Sequence, residues 1–100
     1  MQAELNQVYT IKIANGDEIV AKITAEDTVS YTVLSPLTVV PGPQGIQMVR
    51  SLFTADPDAI ITINKTQVSM IAASREEVCD SYIEAITGIK PVRNSKILLG

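Results

Sequence analysis

Residues 8–27 read VYTIKIANGDEIVAKITAED, and the fold turns on how this stretch is read. Tyr9, Ile11 and Ile13 alternate with Thr10 and Lys12, the period-two pattern of a strand with one buried face. Asn15-Gly16 follows, and both residues tolerate the positive φ of a type I′ turn, so a tight hairpin is expected there. Alternation resumes over Glu18–Ala25, with Ile19, Ala21 and Ile23 on one face and Glu18, Val20 and Lys22 on the other. Two antiparallel strands are the result.

Outward from this hairpin the β signals continue. Glu26-Asp27-Thr28 breaks the alternation as a short turn. Val29–Val40 is rich in β-branched residues, and Pro36 in its middle has no amide to donate, so a bend or bulge is expected. The cluster at 41–45, PGPQG, is a turn that returns Ile46–Phe53 along the outer part of Val29–Val40. After a loop at Asp56-Pro57-Asp58, Ile60–Ile63 and Gln67–Ala72 form two short strands joined tightly through Asn64-Lys65-Thr66.

The period changes at Ser74. Ser74 and Glu77 have the spacing of a capping box, and Val78, Tyr82 and Ile86 form an apolar stripe flanked by Cys79 and Ile83. Gly88 stands where a helix C-cap belongs. Glu76, Asp80 and Glu84 occupy the opposite face, which reads as solvated. The tail from Ile89 carries Lys90, Arg93 and Lys96 before Ile97-Leu98-Leu99, and docking of those apolar residues, on this subunit or a neighbour, is expected.

One hundred residues make a single modest core. With no Trp, one Phe and three Tyr among 46% hydrophobic residues, that core must be aliphatic. Only 19% of residues are charged, and the mean hydropathy is +0.22. A small domain has much surface to cover, so this composition predicts apolar surface buried against another chain. The net charge of −3 gives no global field for nucleic acid, leaving only a local contact. The single Cys79 excludes an intramolecular disulfide and fits a reducing compartment. Residues 1–7 lack the basic and apolar regions of a signal peptide, and no apolar run approaches ~18 residues. A cytoplasmic location and no membrane association are expected.

Catalytic chemistry is poorly represented. The chain has no His, the commonest general base and metal ligand. Cys79 has no His to activate it and reads as a small core residue. Close acid pairs fall in turns or on the helix surface, and Asp56-Pro57-Asp58 has too few ligands for a calcium loop. Gly42 and Gly45 precede no helix and no Lys-Ser/Thr, so no phosphate cradle is formed. Neither an enzyme nor a cofactor or metal is expected.

The spacing Ile11-x-Ile13-x-x-Gly16-x-x-Ile19-x-Ala21-x-Ile23-x-x-x-Asp27 resembles the first motif of the Sm/LSm family, which includes bacterial Hfq. Ile63–Ile71 resembles the second, where an apolar residue, a tight basic turn and an alternating strand follow one another. The overall pattern is closest to divergent Sm-like proteins of phage type. The resemblance implies a mainly β fold: a small, strongly bent, five-stranded antiparallel barrel over residues 1–73, extended by the hairpin and loop at 41–58. Residues 74–100 add a C-terminal helix and tail. It also implies a homo-oligomeric ring of five to seven subunits, closed by pairing between the last two strands of adjacent copies. Ile60, Ile61, Ile63, Val68, Met70 and Ile71 would then form the subunit interface.

Carried over by position, the RNA site is Asp27, Val29 and Tyr31 from one loop with Asn64, Lys65 and Thr66 from the other. Tyr31 would stack on a base, Asn64 would read its edge and Lys65 would meet phosphate. This chain departs from the family at several points. Ala21 replaces a usual Gly, Tyr31 stands where an Asn contacts the base, Val29 holds a stacking position, and the basic-Gly turn becomes Asn64-Lys65. Two functions follow: a ring holding short single-stranded RNA, or an oligomeric adaptor that binds protein. The ring architecture and Asp27 favour RNA, which is the first expectation. Loss of the pocket Asn and Gly and the acidic balance favour the adaptor, while Tyr31 as a packed strand aromatic and Asn64-Lys65 as ordinary turn residues are the plain structural readings.

Overall fold

A computed structural model describes residues 3–88, so the expected docking of the tail lies outside the described residues. The architecture is mainly β: six antiparallel strands in one sheet, followed by one helix. β1 (Gln7–Ile13) and β2 (Glu18–Glu26) are the expected hairpin, paired from Gln7↔Ile23 to Lys12↔Glu18. Their connection is not type I′. Only Gly16 has positive φ (97°), the Ile13 carbonyl accepts from Gly16 N–H at 2.8 Å, and Ile13 N–H donates to Asp17 O at 3.0 Å. This is a three-residue loop, Ala14-Asn15-Gly16, in which glycine alone takes the left-handed position. Asn15 instead accepts from Asp17 N–H through its side chain at 2.9 Å.

β3 (Ser30–Gly42) organises the remainder. One edge pairs with β2, while the other carries two strands end to end. β4 (Gly45–Arg50) pairs with its outer half through the Pro43-Gln44 turn, and β5 (Ile61–Asn64) pairs with Ser30–Val33. The expected irregularity at Pro36 is present. Between the pairs Val20↔Leu37 and Lys22↔Leu34, β3 spends one residue more than β2, and Ser35 adopts φ 48°. β-Bulges of this kind bend the strand that carries them.

A 3₁₀ turn, Lys65–Gln67, leads from β5 to β6 (Val68–Ala73), which pairs with β1. β5 and β6 thus lie at opposite ends of the path β5-β3-β2-β1-β6. Four strand intervals of about 4.8 Å would separate them by about 19 Å in a flat sheet. The chain from Asn64 to Val68 can span only about 14 Å, so the sheet must bend sharply. The bend stops short of closure, because β5 and β6 form no ladder with each other among the described residues. The expected closed, five-stranded barrel is therefore a curved six-stranded sheet, with β4 as a separate outer strand.

The two faces of that sheet build two cores. Tyr9, Ile11, Ile19, Ala21, Ile23, Tyr31 and Val33 are buried inside the bend, with Ile61, Ile63, Val68 and Ile71 packed against them. Full burial of a residue such as Ile11 or Ile23 contributes about 1.5–3 kcal/mol, so this aliphatic cluster dominates. On the outer face, Val20 and Leu37 lie beneath Tyr82 of α1 (Glu76–Thr87), with Val8, Val39, Met48 and Val78 around them.

The helix ends as expected, with Gly88 at φ 75° and its N–H donating to Glu84 O. Its start differs. Arg75 is the N-cap and makes no side-chain cap bond, because the Ser74 hydroxyl is paired with Thr10 Oγ1 at 2.8 Å. A bond that ties the linker to β1 has displaced the capping box. Tyr82 fastens the helix to the bulge: its hydroxyl donates to Leu34 O at 2.8 Å and accepts from Lys22 N–H at 3.3 Å. These groups lie where the β2–β3 ladder is interrupted. Tyr82→Phe removes both bonds while keeping the ring, and should cost about 1–3 kcal/mol in chemical denaturation monitored by circular dichroism.

Candidate functional site

The start of β3 and the 3₁₀ turn after β5 meet through backbone hydrogen bonds. Lys65 N–H donates to Val29 O at 2.8 Å, and Ser30 is in register with Asn64. All six residues expected at a binding site are thereby brought to one end of the sheet. Their side chains, however, have different environments.

Asp27 builds its own loop. Oδ1 accepts from the amides of Val29 and Ser30, each at 2.8 Å, and from the Ser30 hydroxyl at 3.3 Å. Asp27 N–H in turn donates to Ser30 O at 3.0 Å. The amide bonds from Val29 and Ser30 hold its carboxyl below the usual carboxylate range. An aspartate with this role shapes the turn and has little acceptor capacity left on that oxygen.

Tyr31 points into the inner core and is only 4% exposed. Lys65 Nζ stands 5.0 Å above its ring and is paired with Glu26 Oε2 at 2.5 Å. Glu26, which sequence reasoning passed over as a turn acid, is the hub of the site. Its carboxylate takes Lys65 on one oxygen and the Ala3 amide on the other at 2.7 Å, and its side chain is 7% exposed. The register pair Glu26↔Tyr31 explains the triangle: the two residues face each other across β2 and β3, with Lys65 arriving from β5. Proximity of a lysine to an acid on a neighbouring strand is a signal only once that pairing is known.

The Lys65 hydrogen bond, joined by the Ala3 amide, lowers the Glu26 pKa, and the same bond to Glu26 raises that of Lys65. Both stay ionised over a widened range. Val29, Asn64 and Thr66 remain exposed on the rim, Val29 at 63%. Of the residues expected at a subunit interface, Ile61, Ile63, Val68 and Ile71 pack against this chain's inner core. Ile60 and Met70 are exposed, at 77% and 69%. Among the described residues no group of three His, Cys, Asp or Glu could hold a metal ion, and no helix is long and apolar enough to cross a membrane. Burial, followed by the charge of Asp80, raises the Cys79 thiol pKa, which disfavours the nucleophilic thiolate.

Because the Glu26 and Asp27 pKa values are depressed on folding, the stability they contribute is present above their ordinary values of 4.5 and 3.8. It is lost as pH falls through the lower, folded values. Lys65 has the opposite sign: its contribution is complete below 10.5 and disappears as pH rises through its raised value. Denaturation midpoints measured from neutral pH downwards should therefore decline in the acid range, and Glu26→Gln should flatten part of that decline. No protein-family model matches this sequence, and no curated protein matches it.

Proposed function

We propose that the protein is an Sm-like assembly module that forms a closed ring by pairing β5 of one copy with β6 of the next, and that the ring binds protein. The observation that carries the reading is the open sheet. Each of β5 and β6 pairs on one side only among the described residues. Both are short, and each has an exposed large apolar residue beside or within it, Ile60 and Met70. Unpaired edges of this kind are templates for another strand, and cyclic symmetry satisfies every edge at once. Joining β5 to β6 of a neighbour would supply the closure that a single chain lacks.

The choice of protein over RNA rests on the state of the candidate site. Tyr31 is buried, the Lys65 amine is held by Glu26, and one oxygen of Asp27 is saturated by its own loop. A stacking ring and a free cation are what single-strand recognition needs. The exposed apolar residues Ile46 and Phe53, at 60% and 76%, are the kind of surface that protein partners cover. RNA binding remains the second reading, favoured by the adjacent exposure of Val29, Asn64 and Thr66, which ring symmetry would repeat around one axis.

Light scattering should give a mass several times 10.8 kDa, and Ile60→Lys with Met70→Lys should return the monomer. A wild-type monomer at micromolar concentration overturns the assembly. Titration with labelled oligo-U and oligo-A at two salt concentrations should show no salt-sensitive binding. Salt-sensitive binding that Asn64→Ala and Thr66→Ala abolish, with the circular dichroism spectrum unchanged, would establish the RNA reading instead.

A further inference from the structure

β4 and β5 lie end to end along one edge of β3, and a gap separates them. β4 pairs as far back as Leu37 and β5 reaches only Val33, so Leu34, Ser35 and Pro36 have no strand partner on that edge. A groove of about 200 Å³ opens at this gap, bounded by the 51–60 loop and the last turns of α1. Leu37 is buried at its base, while Leu52 and Ile86, 47% and 41% exposed, supply apolar walls. Ser35 also lines it, at φ 48°, a conformation strained for a residue that carries a Cβ. Outliers of this kind concentrate at ligand sites.

Two exposed side chains of opposite sign line the same groove, Arg50 from the end of β4 and Asp56 from the loop. They form no ion pair with each other. Arg50 Nη2 donates to Ala55 O at 2.7 Å, which fixes the guanidinium and leaves most of its donors for another acceptor. The Asp56 carboxylate has neither a hydrogen-bond nor an ion-pair partner among the described residues. A simple anion drawn to Arg50 would be repelled by Asp56, and a simple cation would meet the reverse. A ligand that satisfies both groups carries both signs a short distance apart, with an apolar part for the base of the groove.

We propose that the groove binds the zwitterion of a free aliphatic α-amino acid of leucine's size, with its carboxylate on Arg50, its ammonium on Asp56 and its side chain against Leu37, Leu52 and Ile86. The volume falls below the ~300–1,000 Å³ of sites for larger small molecules, a scale that suits a single amino acid. The planar guanidinium matches a carboxylate through two parallel hydrogen bonds. Burial of the aliphatic side chain supplies the non-directional part of the affinity. The C-terminal residue of a peptide shares the carboxylate and the side chain, but its amide gives Asp56 no charge to neutralise. Every group named belongs to one chain, so the site stands whether or not copies assemble into a ring.

The test titrates the full chain with L-leucine, glycine, leucinamide and N-acetyl-leucine while backbone amide signals are recorded by NMR. Leucine should shift the Leu37, Leu52, Asp56 and Ile86 amides saturably, with half-saturation in the millimolar range or below. Glycine, which lacks the side chain, should bind about tenfold more weakly. Leucinamide and N-acetyl-leucine, each lacking one charge, should lose about tenfold or more. Asp56→Asn should weaken leucine without further weakening N-acetyl-leucine, and Arg50→Gln should weaken leucine without further weakening leucinamide. Circular dichroism spectra that match the wild type confirm that both variants fold. No saturable shift of these amides at about 10 mM leucine overturns the proposal. N-acetyl-leucine that binds as tightly as leucine assigns the groove to the C-terminal residue of a peptide and overturns the free amino acid as its ligand.

Discussion

The three residues Lys65–Gln67 impose the constraint on which the remaining architecture depends. They join strands at opposite ends of a five-strand path, and a flat sheet cannot accommodate so short a link. The turn is pinned at both ends: Lys65 N–H donates to Val29 O, and Ala14 N–H donates to Gln67 O. One bond ties it to the start of β3 and the other to the β1–β2 loop. The concave face that results is what buries Ile11, Ile23 and Val33 completely.

Bending a sheet this strongly breaks its ladders, and the breaks have been put to use. The extra residue in β3 near Ser35 leaves Lys22 N–H and Leu34 O beside an interruption, where the Tyr82 hydroxyl serves both. The helix is therefore specified by a polar contact at the bulge as well as by Val20 and Leu37. Burial raises the Tyr82 pKa, which keeps the phenol in the form that can donate to Leu34 O. At the other end of β3, Glu26, Lys65 and the Ala3 amide join three segments that are distant in sequence. The acid there braces the N-terminal segment against the 3₁₀ turn.

Strand existence was legible wherever alternation was clean, as in Tyr9/Ile11/Ile13 and Ile19/Ala21/Ile23. Pro36 and Gly88 announced their roles because each has a conformational requirement that other residues lack. The type I′ turn and the capping box were misread because each motif permits more than one geometry. Asn15-Gly16 and Ser74-x-x-Glu77 each allow two local geometries: closure of the loop on Ile13 and Asp17, with Asn15 accepting from Asp17 N–H, selected one, and the distant partner Thr10 selected the other. The candidate site was legible as a set of positions brought together. The burial of Tyr31 and the engagement of Lys65 were not, since both depend on Glu26 standing opposite Tyr31 across a strand pair.

β1 pairs with β2 within the first twenty-six residues, but its other edge waits for Val68–Ala73. During synthesis that edge stays open while more than forty further residues emerge, because the strand that covers it lies almost at the end of the sheet-forming sequence. The Lys12 side chain on β1 is a charge of the sort that discourages premature pairing with another nascent chain. The late arrival of β6 also brings the 3₁₀ turn, and the inner core is completed in the same event. Productive folding on the ribosome is thus completed only by the last strand, and translation halted before residue 68 would leave the outer edge of β1 unpaired and the inner core without Val68 and Ile71.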